Sequence, residues 1–155
     1  MQMLLTAIVT WLSINFGLPA IYEHPRVEFA SAAKMAEVRY GRLASIRPDR
    51  VAAEAGHSAP PEFGHGVQAI YDDRSRTIYL PEGWTGATPA EVSVLVHELV
   101  HHLQNIAELK YDCSGAREKP AYRAQARWLE VFGKNLVDEF ELDAMTILMR
   151  TSCMH

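Results

Sequence analysis

His97-Glu98-Leu99-Val100-His101 places two imidazoles four residues apart, with a carboxylate directly after the first. On a helix, residues four apart share a face, so both rings can hold one metal ion between them. Glu98 is turned about 100° from His97, where it can hold a water on that metal without being a ligand. A zinc ion held in this way lowers the pKa of its water to about 7 and so supplies a nucleophile at neutral pH. The H-E-x-x-H pattern therefore predicts a zinc-activated water with Glu98 as its base. The adjoining His102 lies nearer the apolar side of the same helix. It reads as a packed histidine, or one standing behind the ligands, rather than as a ligand.

The elements around the motif must position it. Thr88-Pro89-Ala90-Glu91 is a strong helix start: Thr88 suits the N-cap, Pro89 the first helical position, and Glu91 can bond back in a capping box. Val92, Leu95, Val96, Leu99, Leu103 and Ile106 then recur at helical spacing. The spacing predicts a helix from Thr88 to Ile106 that packs one stripe on the core and turns its imidazoles to a second surface. Before it, residues 66 to 71 read as a strand, Asp72-Asp73-Arg74-Ser75 as a turn, and Thr77-Ile78-Tyr79-Leu80 as the partner strand. Such a hairpin is either scaffold or an edge offered to an extended peptide.

Two imidazoles rarely suffice for a catalytic zinc, which takes three protein ligands and a water. The extended metzincin pattern needs a glycine at position 104 and a histidine at position 107, and the chain has Gln104 and Ala107 there. A later carboxylate is then required, from Glu108, Asp112, Glu118 or Glu130. Glu108 follows His101 too closely, and Asp112 would have to reach from a loop. Glu118 opens the next helical pattern, sharing a face with Tyr122, Gln125 and Leu129, and is the favoured ligand. Asp112 and Glu130 remain alternatives, and Cys113 would make a His-His-Cys site. Pro120 is expected in the first turn of that helix, which would set Glu118 near its N-cap.

On His97, Glu98, His101 and the stretch Glu118-Lys119-Pro120-Ala121-Tyr122, the chain resembles the gluzincin branch of the zincin metallopeptidases. Residues 97 to 128 are also similar to small bacterial zincin-like proteins. The resemblance covers about the middle third of the chain, and it departs from the family at Tyr122, where an aspartate often orients a metal-binding histidine. It implies a Zn2+-dependent hydrolase, a metalloprotease cleaving peptide or protein substrates. His97, His101 and Glu118 would hold the zinc, and Glu98 would pass a proton from the water to the leaving amine. Tyr122 or His102 would donate to the oxyanion. Support for the ligands would come from Asp112, Gln125 or a backbone carbonyl. A zincin-like module that binds metal without cleaving peptides is the alternative, and a metal-free helical domain a third.

The remaining features bound these readings. At 155 residues, with 48% apolar and 22% charged residues, the chain reads as one domain spanning 1–155, small for a peptidase. The fold class expected is α+β: a mainly helical zincin-like domain with a short antiparallel hairpin before the motif helix. A net charge of −4 without a basic cluster leaves no footprint for nucleic acid. Leu4 to Phe16 has some character of a signal segment, but Leu5, Ile8, Val9 and Leu12 follow helical spacing, which favours a first amphipathic helix too short to span a membrane. The stretch Ala30 to Leu43 is expected to pack against it, and Asn135 to Met149 forms a further near-helical pattern. Residues 56 to 66 read as a surface loop, with His57 and His65 as remote spare ligands. This favours the cytoplasm; a cleaved leader or a Cys113–Cys153 disulfide would mean a periplasmic or secreted protein.

Overall fold

The computed structural model describes residues 1–44 and 69–153, with residues 40–44 described by backbone alone. The chain runs α1 (Gln2–Phe16), β1 (Arg26–Ala30), α2 (Ala32–Ala44), β2 (Ile70–Asp72), β3 (Thr77–Pro81), α3 (Pro89–Ile106), α4 (Ser114–Val131), α5 (Leu136–Phe140) and α6 (Ala144–Thr151). The fold is α+β, mainly helical around a small three-stranded sheet. The expected loop over residues 56–66, with His57 and His65, lies outside the described residues, as do positions 66–68 of the expected strand.

α3 begins where its start signal is written. Thr88 is the N-cap: its hydroxyl accepts from the Glu91 N–H (3.2 Å), and the Glu91 carboxylate accepts from the Thr88 N–H (3.1 Å). That carboxylate also accepts from the N–H groups of Thr85 (2.9 Å) and Ala87 (3.1 Å), so one side chain gathers the whole entry loop. Leu95, Val96, Leu99, Val100 and Leu103 of α3 are fully buried. They form one core with Leu5, Ile8, Val9 and Leu12 of α1 and Ile78 and Leu80 of β3. α1 is thus built into the core, and it ends at Gly17 in the left-handed region (φ 63°).

The hairpin is present as β2 antiparallel to β3, with Tyr71 opposite Ile78. Its turn is held by the Asp72 carboxylate, which accepts from the N–H groups of Arg74 (3.3 Å) and Ser75 (3.2 Å). The sheet has a third strand that sequence patterning did not reveal: β1 pairs parallel to the other edge of β3, from Arg26 opposite Thr77 to Ala30 opposite Pro81. Its charged Arg26 and exposed Glu28 suit an edge strand but hide its apolar alternation. Parallel neighbours need a crossover connection, and α2 lies within it. α2 therefore packs on all three strands, whereas its sequence suggested packing against α1.

The C-terminal pattern is two helices rather than one. Asn135 caps α5 (its side chain accepts from the Asp138 N–H, 2.8 Å), and Asp143 caps α6 (accepting from the Thr146 N–H, 2.7 Å). Between them Glu141 sits in the left-handed region at φ 51°. Two caps eight residues apart impose the break, and Val137, Met145, Leu148 and Met149 are left exposed. Cys113 and Cys153 form a disulfide (Cα–Cα 5.7 Å) that ties the chain beyond α6 to the start of α4. At Gly115 the backbone of Ser152 comes so close that a Cβ would run into its carbonyl. None of the described helices is long and apolar enough to cross a membrane.

Candidate metal centre

α3 lies against α4, and the face between them carries His97, Glu98 and His101. α4 starts at Ser114, with Cys113 as N-cap through its sulfur, which accepts from the Ala116 N–H (3.3 Å). This corrects the sequence reading: Pro120 lies inside the helix, not in its first turn. The missing N–H at Pro120 removes one helical bond while packing keeps the helix intact. Glu118 consequently sits a full turn inside α4, facing the imidazoles.

The three side chains converge. Nε2 of His97 lies 3.2 Å from Nε2 of His101 and 3.2 Å from Oε2 of Glu118, and Nε2 of His101 lies 3.3 Å from Oε1 of Glu118. Ligand atoms about 2.0–2.1 Å from a tetrahedral ion stand about 3.3 Å from one another, so these spacings are the edges of such a site. Among the described residues this is the one cluster of at least three potential ligands within metal-binding distance.

The opposite nitrogens set the protonation. Nδ1 of His101 faces Oε1 of Gln104 (2.9 Å), and the Gln104 Nε2 donates to the Arg117 carbonyl (3.0 Å), which fixes the amide orientation. An amide oxygen only accepts, so the proton of His101 is on Nδ1. Nδ1 of His97 likewise faces Oε1 of Gln125 (3.1 Å), whose Nε2 lies 3.4 Å from the Ser93 hydroxyl. The two Nε2 atoms then face each other and a carboxylate. A proton can bridge one of these pairs; a cation satisfies all three atoms at once. The donor set of two imidazoles and a carboxylate fits Zn2+.

Glu98 is buried beside this triangle, and its Oε2 accepts from the Tyr71 N–H of β2 (2.8 Å). Burial, with the Glu118 charge adding to it, pushes its carboxyl up to about 7 against the opposing pull of His97, the Tyr71 N–H and Arg117. For Glu118 burial acts upward as well, but the hydrogen bonds and charges of His101 and His97 outweigh it and hold the carboxyl well below the usual range. Two neighbouring acids are thus driven in opposite directions.

Tyr122 packs edge-on against His97 (centroids 4.8 Å apart), and its hydroxyl accepts from Nη1 of Arg150 (2.9 Å). Burial raises the Tyr122 hydroxyl pKa and Arg150 opposes the rise, so the phenol keeps a proton to donate. His102 is placed elsewhere. It is buried in the core, with Nε2 donating to the Glu23 carbonyl (2.6 Å) and Nδ1 accepting from the Tyr71 hydroxyl (3.1 Å). Both nitrogens are engaged away from the cleft, so His102 is a packing residue and not an oxyanion donor. The other ligand candidates also lie apart: Glu108 and Asp112 are exposed, Cys113 is in the disulfide, and exposed Glu130 pairs with Arg127 (2.9 Å).

A cavity of about 320 Å³ opens over the triangle, lined by Ile70 and Tyr71 of β2 and by Glu98, Glu118 and Tyr122. Three arginines that sequence reasoning did not single out, Arg39, Arg117 and Arg150, also line it. Arg117 is held by a bidentate ion pair with Asp73 of the hairpin turn. No local signal marks that pair, because its members lie 44 residues apart. Gln104 had a signal that went unused: it is a polar residue three positions after His101, one turn along the same helix.

Fold and cluster together define a class: an α+β domain with a candidate His-His-Glu metal centre between two packed helices and a hairpin edge. The chain belongs to the family described as a domain of unknown function, DUF6647, whose model matches residues 1–155. No curated protein and no solved structure matches it.

Proposed function

We propose that this chain is a zinc-dependent hydrolase, a metallopeptidase of zincin type, with His97, His101 and Glu118 as the ligands of Zn2+. The observation that supports it best is the triangle of ligand atoms at 3.2–3.3 Å, each imidazole aimed by a glutamine amide behind it. Zinc at this position would supply a water acidified to near neutrality. Glu98, pushed up to about 7 and held by the Tyr71 N–H, would serve as the base that takes a proton from the nucleophile and returns it to the leaving amine. Tyr122 presents its hydroxyl from the His97 side of the cavity and donates to the developing oxyanion. The Cys113–Cys153 disulfide supports an oxidising compartment, periplasmic or extracellular, over the cytoplasm that the sequence alone favoured.

Zinc per chain, by elemental analysis of wild type and Glu118→Ala, tests the centre. About one zinc in wild type and little in the variant is the expected result; no zinc in wild type after reconstitution defeats the proposal. A peptide-library digest with zinc-loaded wild type and Glu98→Gln tests the chemistry. The variant should keep its zinc and lose several orders of magnitude of turnover. Zinc-loaded wild type that cleaves no peptide would favour a metal-binding module without peptidase activity.

A further inference from the structure

Arg117 engages the site without reaching its centre. It stands next to Glu118 on α4, yet its guanidinium bonds to α3 and to the hairpin turn. Its Nη1 donates to Oδ2 of Asp73 (2.9 Å), and its Nη2 donates to Oδ1 of the same carboxylate. Its Nε donates to Oε1 of Gln104 (3.4 Å), and its backbone carbonyl accepts from Nε2 of Gln104 (3.0 Å). The arginine therefore meets both ends of one amide, and each guanidinium nitrogen has a protein partner. Gln104 is only 2% exposed, and its Oε1 also accepts from Nδ1 of His101 (2.9 Å).

This arrangement leaves the amide one orientation. Turned over, Gln104 would aim its NH2 group at a guanidinium and at the His101 N–H, and its oxygen at a carbonyl. In a buried setting donors facing a cation repel it strongly, so the charge on Arg117 makes that reversal costly. Asp73 in turn fixes the guanidinium. The two side chains are 27% and 21% exposed, the most buried Lys or Arg ion pair among the described residues. A bidentate fork of this kind holds direction as well as distance. The turn that carries Asp73 is itself pinned to α3. Asn105 donates from Nδ2 to the Asp73 carbonyl (2.9 Å) and to the Tyr71 hydroxyl (2.9 Å). Asn105 follows Gln104 directly, so both ends of the path from Asp73 to His101 are registered on one helix.

We infer that Arg117, held by Asp73, is a positioning residue for the metal centre: it locks the Gln104 amide and, through it, the His101 ring. This inference rests on the metal-centre reading and adds the residues that aim one of its ligands. The guanidinium lines the cavity, so its charge alone would repel a dication. Positioning and charge therefore predict opposite signs for its removal.

The Zn2+ affinity of the full chain, by competition with a chromophoric chelator, reads that sign. Arg117→Met should bind Zn2+ about 5- to 20-fold more weakly than wild type. In a Gln104→Leu background the same change should add less than about twofold, because the amide through which it acts is gone. Arg117→Lys keeps a charge opposite Asp73 but has one nitrogen in place of three. Its metal-free Tm should stay near wild type while its zinc affinity falls as in Arg117→Met. The visible spectrum of the Co2+-loaded chain, which follows ligand geometry, should shift alike in Arg117→Met and Gln104→Leu. Asp73→Asn, which leaves the sequence of α4 untouched, should weaken zinc binding in the same direction. It keeps the test decisive if the Arg117 variants fail to fold. Zinc binding that is unchanged or tighter in Arg117→Met, or fully restored in Arg117→Lys, overturns the inference and leaves the metal centre standing. Losses that add in full across the Gln104→Leu background do the same, since a plain tie between α4 and the hairpin would behave so. A wild type that takes up no zinc after reconstitution overturns both.

Discussion

At the scale of single residues, the site is governed by groups that never touch the ion position. Gln104 and Gln125 each accept an Nδ1 proton and so turn the Nε2 atoms toward the centre. Replacing either by leucine removes that acceptor and frees the ring to rotate or change tautomer. Each variant should bind zinc about 10- to 100-fold more weakly in a competition titration with a chromophoric chelator. Unchanged affinity would mean that the amides do not set the tautomer. Glu98 makes a second prediction, for the metal-free chain in chelator. Its carboxyl is ordinarily near 4.5 and is pushed up to about 7 in the fold. The folded state therefore binds this proton more tightly than the unfolded one. The associated stability is fully present below about pH 4.5 and is lost as pH rises through about 7. The loss is of the order of 3 kcal/mol. Glu118 works in the opposite sense, so the difference between wild type and Glu98→Gln isolates the Glu98 contribution. Urea unfolding at pH 5 and pH 8 should show Glu98→Gln gaining on wild type at the higher pH. Parallel pH profiles for the two proteins would refute it.

At the scale of elements, legibility followed locality. The start of α3 could be read because Thr88, Pro89 and Glu91 act on their own neighbours, and so could the pairing of His97 with His101. The start of α4 could not. Its cap is a cysteine sulfur, and Pro120 suggested a later beginning than the real one at Ser114. β1 was hidden because its pairing with β3 is parallel and distant, and because edge strands carry charges that blur alternation. Glu118 could be named as a candidate by its spacing, whereas Arg150 reaches the cavity only through the disulfide-tied tail, which no periodicity encodes. The tail is therefore the element most open to test. The bridge closes a loop of 40 residues, and Cys153→Ser should cost about 3–4 kcal/mol in chemical denaturation. Gly115→Ala should destabilise the intact protein by forcing the Ser152 backbone away. It should do so far less in the Cys153→Ser background, where the tail is free to move. Additive losses in the double variant would argue that the close approach at Gly115 is unrelated to the bridge.

At the scale of the whole molecule, the candidate centre is where separate parts of the chain are fastened together. α3 supplies two imidazoles, α4 a carboxylate, and β2 the N–H that holds Glu98. The Arg117–Asp73 pair links α4 to the hairpin turn across the same cavity. Without a cation, the two Nε2 atoms and a carboxylate face one another between α3 and α4 at 3.2–3.3 Å. Zinc binding should then act as a stabiliser of the entire fold, because the unfolded chain offers no such triangle. At a free zinc concentration of about 100 times Kd the stabilisation is about 2.7 kcal/mol, which for a chain of this size raises Tm by about 5–11 °C. Glu118→Ala removes one of the three ligands, so its Tm should respond far less to the same zinc concentration. Magnesium, which demands octahedral oxygen ligands, should do little for either protein. A wild-type Tm that ignores zinc, or a Glu118→Ala Tm that rises as much as wild type, would place the fastening elsewhere. The packed core of α1, α3 and β3 would then be sufficient by itself to hold α4 in position.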